Sequence, residues 1–451
     1  NTEEEVSNYK ERKVDLDLKT SEIVYIVLDS ENTISNDSWI QISDQKITIK
    51  KSWNYEFTWT LNDWQIIVDT EDEKNVQIIL NNADIINKSW PTIFIKNTSQ
   101  AIINLSEGSI NTLIDWSSYT DNNEGEKANI FSTEDLVINW NWKLNVIWNY
   151  NDGITSKDKL FIDSWNISVI AKDDWIIWKD YLLINGWIIN IESEWDSLKS
   201  DNENKATILI NGWEINLSSW DDAIHSELYL IFNWWDINIS KSYEWVEAKY
   251  ITFNDWNIII ISSDDWINAS SWSDEDDTWI FSKKWWWESD DGSVVYFNWW
   301  NITLNSNWDW FDSNWKIIMS GWKIVIFGPE ENNNGSIDYN GEFEITGWEI
   351  IAIGSSWMVE TPAESENVNT INIWLWDSYW VWENIIIKNN LWEELLNVIS
   401  IKTFQSIVFS SDKLITWEAY ILVISWNIIE EMNISDKIIT IWSFNSRWGR
   451  R

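Results

Sequence analysis

Short apolar stretches recur along the middle of the chain at a nearly constant interval. Each repeat contains a turn, an acidic residue and a short apolar strand. The aligned acids are separated by steps of 22, 22, 26, 22 and 21 residues, and the long step contains an extra polar segment, DNENK, at 201–205. The aligned acids are Asp152, Asp174, Asp196, Asp222, Glu244 and Asp265. A unit of about 22 residues that cannot close a core alone predicts a solenoid of stacked coils.

Three apolar columns keep the same step. The first is Ile154, Ile176, Leu198, Ile224, Val246 and Ile267, the second is Ile167, Ile189, Ile215, Ile237 and Ile258, and the third runs through LFIDSW, LLINGW, ILINGW, LIFNWW, ITFNDW and VYFNWW. These stretches are too short and too β-branched for helices. The pattern therefore predicts an all-β protein, a single-chain parallel β-helix with about three strands per coil.

The repeat step also suggests where the domains begin and end. We expect residues 1–44 to cap the first coil, because an uncapped solenoid end exposes strand edges. Residues 45–365 contain the coils, with a polar loop at 274–291. Residues 366–440 lose the step and alternate as strands, which predicts a C-terminal antiparallel β cap. We expect the tail, 441–451, to be disordered.

Tryptophan and glycine alternate at the same sites of the repeat. The chain has 43 Trp and only 13 Gly, and one corner site holds glycine in some coils (Gly186, Gly212) and Trp234 in another. Sharp corners need positive φ or close backbone approach, which glycine supplies and tryptophan does not. Our hypothesis is that most of these tryptophans are glycines in the natural protein, from a gene that reads UGA as glycine. The segment SKKWWWESDDG at 282–292 then becomes an ordinary turn. A tryptophan-rich lectin is disfavoured, because sugar-stacking indoles occupy strand faces.

Composition excludes several classes of protein. The formal charge is −42, which disfavours nucleic acid as a partner, and the chain has no cysteine for a disulfide framework. No apolar run is long enough to span a bilayer, so we expect no membrane insertion. The chain starts at Asn1 without an apolar leader, which fits either a removed signal peptide or a fragment. We expect a secreted or cell-surface protein that is monomeric.

The column of acids is the strongest candidate for a metal site. Coils of a β-solenoid stack about 4.8 Å apart, so carboxylates of neighbouring coils can converge on Ca²⁺, which takes six to eight oxygen ligands. The predicted ligands are Asp152, Asp173, Asp174, Asp196, Asp221, Asp222, Glu244, Asp264 and Asp265. For a single aspartate, an Asx-turn hydrogen bond explains the residue equally well. For the column as a whole, like charges at this spacing favour a metal.

Polar residues that alternate with the first apolar column are candidates for sugar contacts. This outward column is Thr155, Ile177, Lys199, His225, Glu247 and Asn268. We predict carbohydrate contacts at Lys179, Lys199, His225, Glu247 and Asn268, with His225, the only histidine, on the surface. Residue by residue, the simpler interpretation is the polar exterior that any soluble β-helix needs.

With glycine at the tryptophan sites, the chain resembles the bacterial surface carbohydrate-binding domain that folds as a right-handed parallel β-helix, similar in shape to pectate lyases. The segments that carry the resemblance are NYEFTWTLNDWQIIVDT at 54–70, VQIILNNADIINKSWPTIFIKN at 76–97, SEGSINTLIDWSSY at 106–119, ANIFSTEDLVINWNWKLNVIWNYNDGITSKDKL at 128–160, DYLLINGW at 180–187, SDNENKATILINGW at 200–213 and IIAIGSSWMVETPAES at 350–365. The chain departs from the family at the tryptophans and at Glu244. The resemblance implies binding of plant-type or acidic polysaccharides and of calcium, without catalysis as the hallmark.

Three functions fit these features. A polysaccharide lyase on this fold needs a base that removes a proton beside a carboxylate, and in lyases of this shape the base is typically arginine. Residues 13–446 contain no arginine, so a lysine such as Lys179 or Lys199 would have to replace it. A structural surface or adhesion protein without sugar specificity is the third possibility. We predict a non-catalytic module that binds an acidic or plant cell-wall polysaccharide with Ca²⁺ at the cell surface, and we assign no catalytic residue.

Overall fold

The computed structural model describes residues 23–443 with gaps at 30–36, 73, 117–126, 148, 150–151, 171–175, 186–187, 212–213, 234–235, 243–245, 255–257, 262–266, 271–291, 299–300, 306–310, 314–315, 321–322, 332–334, 338, 340 and 348. Every regular element in this part of the chain is a β-strand. None of its segments is a helix with the length and hydrophobicity needed to cross a lipid bilayer. The expected tail and the predicted polar loop at 274–291 lie outside the described residues, apart from the first residues of the tail, which end the last strand.

The strands are numbered in chain order. The first part of the chain contains β1 (Ile23–Asp29), β2 (Ile40–Ser43), β3 (Lys46–Ile49), β4 (Asn54–Asn62), β5 (Gln65–Asp69), β6 (Asn75–Ile86), β7 (Ile93–Asn97), β8 (Gln100–Leu105), β9 (Ile110–Ile114), β10 (Ala128–Ser132), β11 (Leu136–Ile147), β12 (Asp152–Ser156), β13 (Lys159–Ile170), β14 (Ile176–Trp178), β15 (Tyr181–Ile184), β16 (Ile188–Glu192), β17 (Leu198–Ser200), β18 (Thr207–Ile210) and β19 (Glu214–Ser218). The remainder contains β20 (Ile224–Phe232), β21 (Asp236–Lys241), β22 (Val246–Phe253), β23 (Ile258–Ile261), β24 (Ile267–Ala269), β25 (Val294–Phe297), β26 (Asn301–Asn305), β27 (Phe311–Ser313), β28 (Lys316–Met319), β29 (Lys323–Phe327), β30 (Glu342–Ile345), β31 (Glu349–Gly354), β32 (Asn369–Tyr379), β33 (Asn384–Asn389), β34 (Glu394–Ile399), β35 (Phe404–Ser411), β36 (Ala419–Ile424), β37 (Asn427–Asn433) and β38 (Ile438–Ser443).

Parallel pairing between strands one coil apart builds a three-sided solenoid. The first face contains β3, β5, β7, β10, β12, β14, β17, the beginnings of β20 and β22, β24 and β27. The second contains β1, β8, β15, β18, β25, β28, β30, the beginnings of β4, β6, β11 and β13 and the ends of β20 and β22. The third contains β9, β16, β19, β21, β23, β26, β29, β31 and the ends of β4, β6, β11 and β13. The predicted parallel β-helix with three strands per coil is confirmed.

The apolar columns read from the sequence are the inward rows of these faces. On the first face Ile154 pairs with Ile176, Ile176 with Leu198, and Leu198 with Ile224, in the predicted register. One continuous core of buried Ile, Leu, Val and Phe runs through the coils. Burying an Ile or Leu side chain contributes roughly 1.5–3 kcal/mol, so this core is the main stabilising term of the solenoid.

Identical side chains also stack from coil to coil. On the second face Phe232, Phe253 and Phe297 stack with ring centroids 4.9 and 5.0 Å apart. One residue further along each strand, an asparagine ladder runs down the corner, with side-chain amide hydrogen bonds of 2.7 to 2.9 Å. Its members are Asn185, Asn211, Asn233, Asn254 and Asn298. The ladder satisfies polar groups at a corner where the backbone leaves the sheet.

The C-terminal strands form a cap that joins the third face. Strand β35 pairs antiparallel with β31, the last strand of that face, and also with β32. A second antiparallel sheet, in the order β34-β33-β36-β37, contributes to a core that includes the outward side chains of β31. The predicted antiparallel cap is confirmed, with one difference: β38 runs parallel to β32.

Candidate functional site

The acid column and the outward column lie side by side on the first face. Where the structure describes the acid, Asp152 begins its strand, Asp196 and Asp222 come two positions before theirs, and the outward residue follows each acid by three positions. Thr155 Oγ1 donates to Asp152 Oδ2 at 2.9 Å, and Lys199 Nζ lies 2.9 Å from Asp196 Oδ2. In these coils the predicted metal and sugar sites are therefore one surface, on which Thr155, Lys199 and His225 each face the acid of their own coil.

Three carboxylates converge where two neighbouring coils meet. One oxygen each from Asp196, Asp221 and Asp222 lies within 4.8 Å of the others, and the backbone N–H of Asp222 donates to Asp196 Oδ1 at 3.0 Å. Burial, reinforced by the charges of Asp196 and Glu247, raises the pKa of both Asp221 and Asp222. We call these three carboxylates the hard-ion group. The repulsion between their negative charges favours a bound cation.

A cleft opens beside the hard-ion group. It has a volume of about 620 Å³ and is lined by Glu194, Trp195, Trp220 and Asp221. Both indoles are exposed. The cleft therefore gives solvent, or a ligand, access to the carboxylate of Asp221.

The other predicted metal ligands do not join this group. Asp152 is buried and accepts the hydroxyl of Thr155, but it belongs to neither set of converging ligands in the described part of the chain. Asp173, Asp174, Glu244, Asp264 and Asp265 lie outside the described residues.

The outward column is less exposed than its alternation predicts. The expectation that His225 lies on the surface is wrong, because its side chain is only 13% exposed. Glu247 is 5% exposed and Thr155 is also buried, whereas Lys199 and Asn268 are half-buried. The physical reason is that in-register neighbours one coil away cover each side chain. Lys179 is exposed in the turn that follows β14.

His225 is surrounded by carboxylates. Its Nδ1 lies 3.3 Å from Asp222 Oδ2 and 3.1 Å from Glu247 Oε2, and its Nε2 lies 3.4 Å from Glu227 Oε1. Burial alone would lower the pKa of His225, but the hydrogen bonds to these acids outweigh it and raise that pKa to about 12. Without a metal, the ring is a cation that neutralises part of the acid column.

Glu247 connects this cluster to the next coil. One of its oxygens, Oε1, accepts hydrogen bonds from Asn268 Nδ2 at 3.0 Å and from Ser270 Oγ at 2.9 Å, while Oε2 faces His225. Glu247 and Asn268 are therefore bound to each other, and their orientation is determined by the protein before any sugar arrives. The outward alternation named both residues but did not reveal this contact.

Comparison of the chain with known proteins shows which family it resembles. A family of carbohydrate-binding domain-containing proteins matches residues 43–276, which include the hard-ion group and His225. A carbohydrate-binding domain-containing protein of Acetivibrio thermocellus is 33% identical over 150 residues, 32% of this chain and 52% of that protein, so the match spans about half the length of the relative. A solved structure described as a polysaccharide lyase-like protein from C. thermocellum, a gadolinium derivative, is 30% identical with a TM-score of 0.47 and covers 49% of this chain and 91% of its own. On the family match, which extends over more than half of its length, the chain belongs to the carbohydrate-binding domain-containing proteins.

Proposed function

We propose that this protein is a non-catalytic, calcium-dependent polysaccharide-binding module of the cell surface or the secreted fraction, with an acidic glycan as its ligand. The observation that carries the proposal is the hard-ion group, which lies within the residues that match the carbohydrate-binding family. A chain with a formal charge of −42 repels a polyanion unless cations lie between the two.

The donor set of the hard-ion group fits calcium. All three side chains offer carboxylate oxygens, the ligand type that Ca²⁺ prefers, and the atoms are close enough to surround one ion. Asp196, Asp221 and Asp222 would hold it. A bound Ca²⁺ supplies the positive charge that an incoming uronate carboxylate needs at this acidic surface.

The surrounding residues orient the group. Lys199 Nζ holds Asp196 Oδ2, and the Asp222 N–H holds Asp196 Oδ1, so this carboxylate is positioned from both sides. Asp221 is half-buried, whereas Asp196 and Asp222 are buried, so Asp221 is the ligand nearest to an entering sugar. Lys179, exposed one coil away, offers a direct cation to a second uronate.

The same residues argue against a lyase. No arginine occurs between residues 13 and 446. Lys199 Nζ lies 2.9 Å from Asp196 Oδ2, so this amine is paired with a carboxylate instead of being placed to remove a proton from a sugar. Binding of a polysaccharide needs neither an arginine nor a lysine that transfers a proton.

Affinity electrophoresis on gels that contain polygalacturonate, with added Ca²⁺ or with chelator, tests the proposal. We expect retardation with Ca²⁺, its loss with chelator, and a reduction of about tenfold or more in Asp221→Asn, because one charged ligand is removed. Asp412→Asn, an exposed aspartate of the cap, is the matched control and should bind like the parent. Retardation that ignores both chelator and Asp221→Asn contradicts the calcium role, and release of unsaturated uronate, read by absorbance, establishes a lyase instead.

A further inference from the structure

The only histidine of the chain lies in a second cluster of ligand atoms, beside the hard-ion group. Asp222, His225 and Glu247 each offer one ligand atom, and the three atoms lie within 4.8 Å of one another. Asp222 lies two positions before β20, His225 is the second residue of β20, and Glu247 lies in β22 of the next coil, where the register places it next to His225. All three are largely removed from solvent.

The imidazole ring of His225 is oriented as in metal-binding histidines. Its Nδ1 is the ring atom that faces both Asp222 Oδ2 and Glu247 Oε2, while Nε2 faces the carboxylate of Glu227. Metal-binding histidines almost always place the second ring nitrogen on a carboxylate, a carbonyl or a water, which fixes the ring and its tautomer. Glu227 is in that position.

The donor set differs from that of the neighbouring group. One imidazole nitrogen with two carboxylate oxygens suits zinc and related divalent transition metals, whereas Ca²⁺ prefers an all-oxygen set. Three protein ligands also leave a coordination position for water or for a hydroxyl of a bound molecule.

We propose that Asp222, His225 and Glu247 form a site for a zinc-like divalent transition metal, held in orientation by Glu227 and adjacent to the hard-ion group. Asp222 belongs to both clusters, so the two sites share a ligand. Nδ1 carries either a proton or the metal, and the ion-paired imidazolium is therefore the metal-free state of the same site. The proposal does not depend on sugar binding, because none of its ligands needs a glycan.

Calorimetric titration of the metal-free, untagged full chain with Zn²⁺ tests the site. We expect one Zn²⁺ per chain, with affinity reduced about tenfold or more in His225→Asn and in Glu247→Gln, and about tenfold in Glu227→Gln, which keeps all three ligands but removes the partner of Nε2. Asp221→Asn is the matched control: it removes a carboxylate that belongs to the hard-ion group but not to the histidine cluster, and it should leave Zn²⁺ affinity within about twofold while Ca²⁺ affinity falls.

X-ray absorption of the zinc-loaded parent protein keeps the test independent of variants that fail to fold. Because the chain has one histidine, imidazole scattering at a Zn–N distance of about 2.0–2.1 Å can come only from His225. No Zn²⁺ binding, or bound zinc without an imidazole signal, overturns the proposal. Zinc affinity that is unchanged in folded His225→Asn overturns it as well. Loss of calcium-dependent glycan binding in Asp221→Asn with intact zinc binding separates the two proposals.

Discussion

At the scale of single residues, several tryptophans occupy backbone conformations that suit glycine. Five described tryptophans have positive φ: Trp59, Trp382, Trp392, Trp417 and Trp426. Positive φ is uncommon for any residue except glycine and is a true outlier for bulky side chains. Gly108, with φ of 78°, has nearly the same φ as Trp59, at 80°. We therefore propose that these tryptophans stand where the natural protein has glycine.

The hairpin between β36 and β37 gives the sharpest test of that proposal. Ser425 and Trp426 have φ of 43° and 75° between paired Ile424 and Asn427, which is the two-residue turn in which glycine is strongly preferred at the second position. Trp426 is 91% exposed, so its side chain contributes almost no packing. In a protein made with tryptophan, Trp426→Gly should stabilise the fold by about 1–2 kcal/mol, measured by thermal unfolding.

Trp442→Gly is the control for that change. Trp442 lies inside β38, where glycine weakens a strand, so we expect this variant to lower the melting temperature. Equal effects of the two substitutions would contradict the conformational argument. For the native protein, we expect an intact mass well below the 53.7 kDa of the tryptophan sequence.

At the scale of elements, stacked identical side chains keep neighbouring coils in register. A one-residue slip of any strand would move its apolar row to the outside and separate both the phenylalanine stack and the asparagine ladder. The asparagine column is present in the repeated strand motifs, yet sequence periodicity alone did not distinguish it from turn asparagines. Its hydrogen bonds depend on the orientation of side chains in two different coils.

Truncation of the phenylalanine stack and truncation of the asparagine ladder should lower the free energy of unfolding by different amounts. Phe253→Ala removes the middle ring of the stack and should lower the free energy of unfolding by about 3–5 kcal/mol. Asn254→Ala, at the next position, removes the ladder donor to Asn233 Oδ1 and the ladder acceptor of Asn298 Nδ2, and should lower the free energy of unfolding by about 1–3 kcal/mol. Urea unfolding followed by circular dichroism measures both. A cost for Phe253→Ala no larger than that for Asn254→Ala would show that the stack is not the stronger contact.

At the scale of the whole molecule, a buried lysine joins the cap to the last coils. Lys402, in the connection between β34 and β35, is 8% exposed, and its Nζ donates to the carbonyl of Gly328 at 3.3 Å. Burial lowers the pKa of Lys402 to about 8, against the opposing effect of Glu330. The backbone N–H and hydroxyl of Thr403 both donate to Glu330 Oε1, so the same connection is bound to the solenoid twice.

This lysine predicts a rise of stability with pH. The unfolded side chain has a pKa of about 10.4, so between about pH 8 and pH 10.4 the unfolded state binds the proton more tightly and stability increases with pH. The cost of burying the charge is fully present below pH 8 and is lost above that window. Lys402→Met should remove this increase and stabilise the protein by about 1–3 kcal/mol at pH 7.

Chemical unfolding at a series of pH values between 7 and 10.5 measures the effect as a difference from the parent, which cancels groups that titrate in both proteins. Lys96→Met, at an exposed position of strand β7, should follow the parent within about 0.5 kcal/mol. If the free energy of unfolding of Lys402→Met changed with pH in parallel with that of the parent, burial would not lower the pKa of this amine.

Much of the solenoid was predictable because its apolar and acidic residues recur at a nearly fixed step. The step of about 22 residues and the row Ile154, Ile176 and Leu198 gave the parallel pairing and its register directly. Inward rows must be apolar in every coil, so the same apolar pattern recurs in each repeat of the sequence. The change from that step to plain alternation marked the cap for the same reason.

Only the tertiary structure decided how individual polar side chains meet. Sequence alternation assigned His225 and Glu247 to the outside, but the stacked coils bury Glu247, leave the side chain of His225 only 13% exposed and direct the two at each other. The convergence of Asp196 with Asp221 and Asp222 likewise depends on the distance between coils and on side-chain orientation. Periodicity determines which face a residue takes, whereas contacts across coils depend on packing between residues more than 20 positions apart, which no local pattern contains.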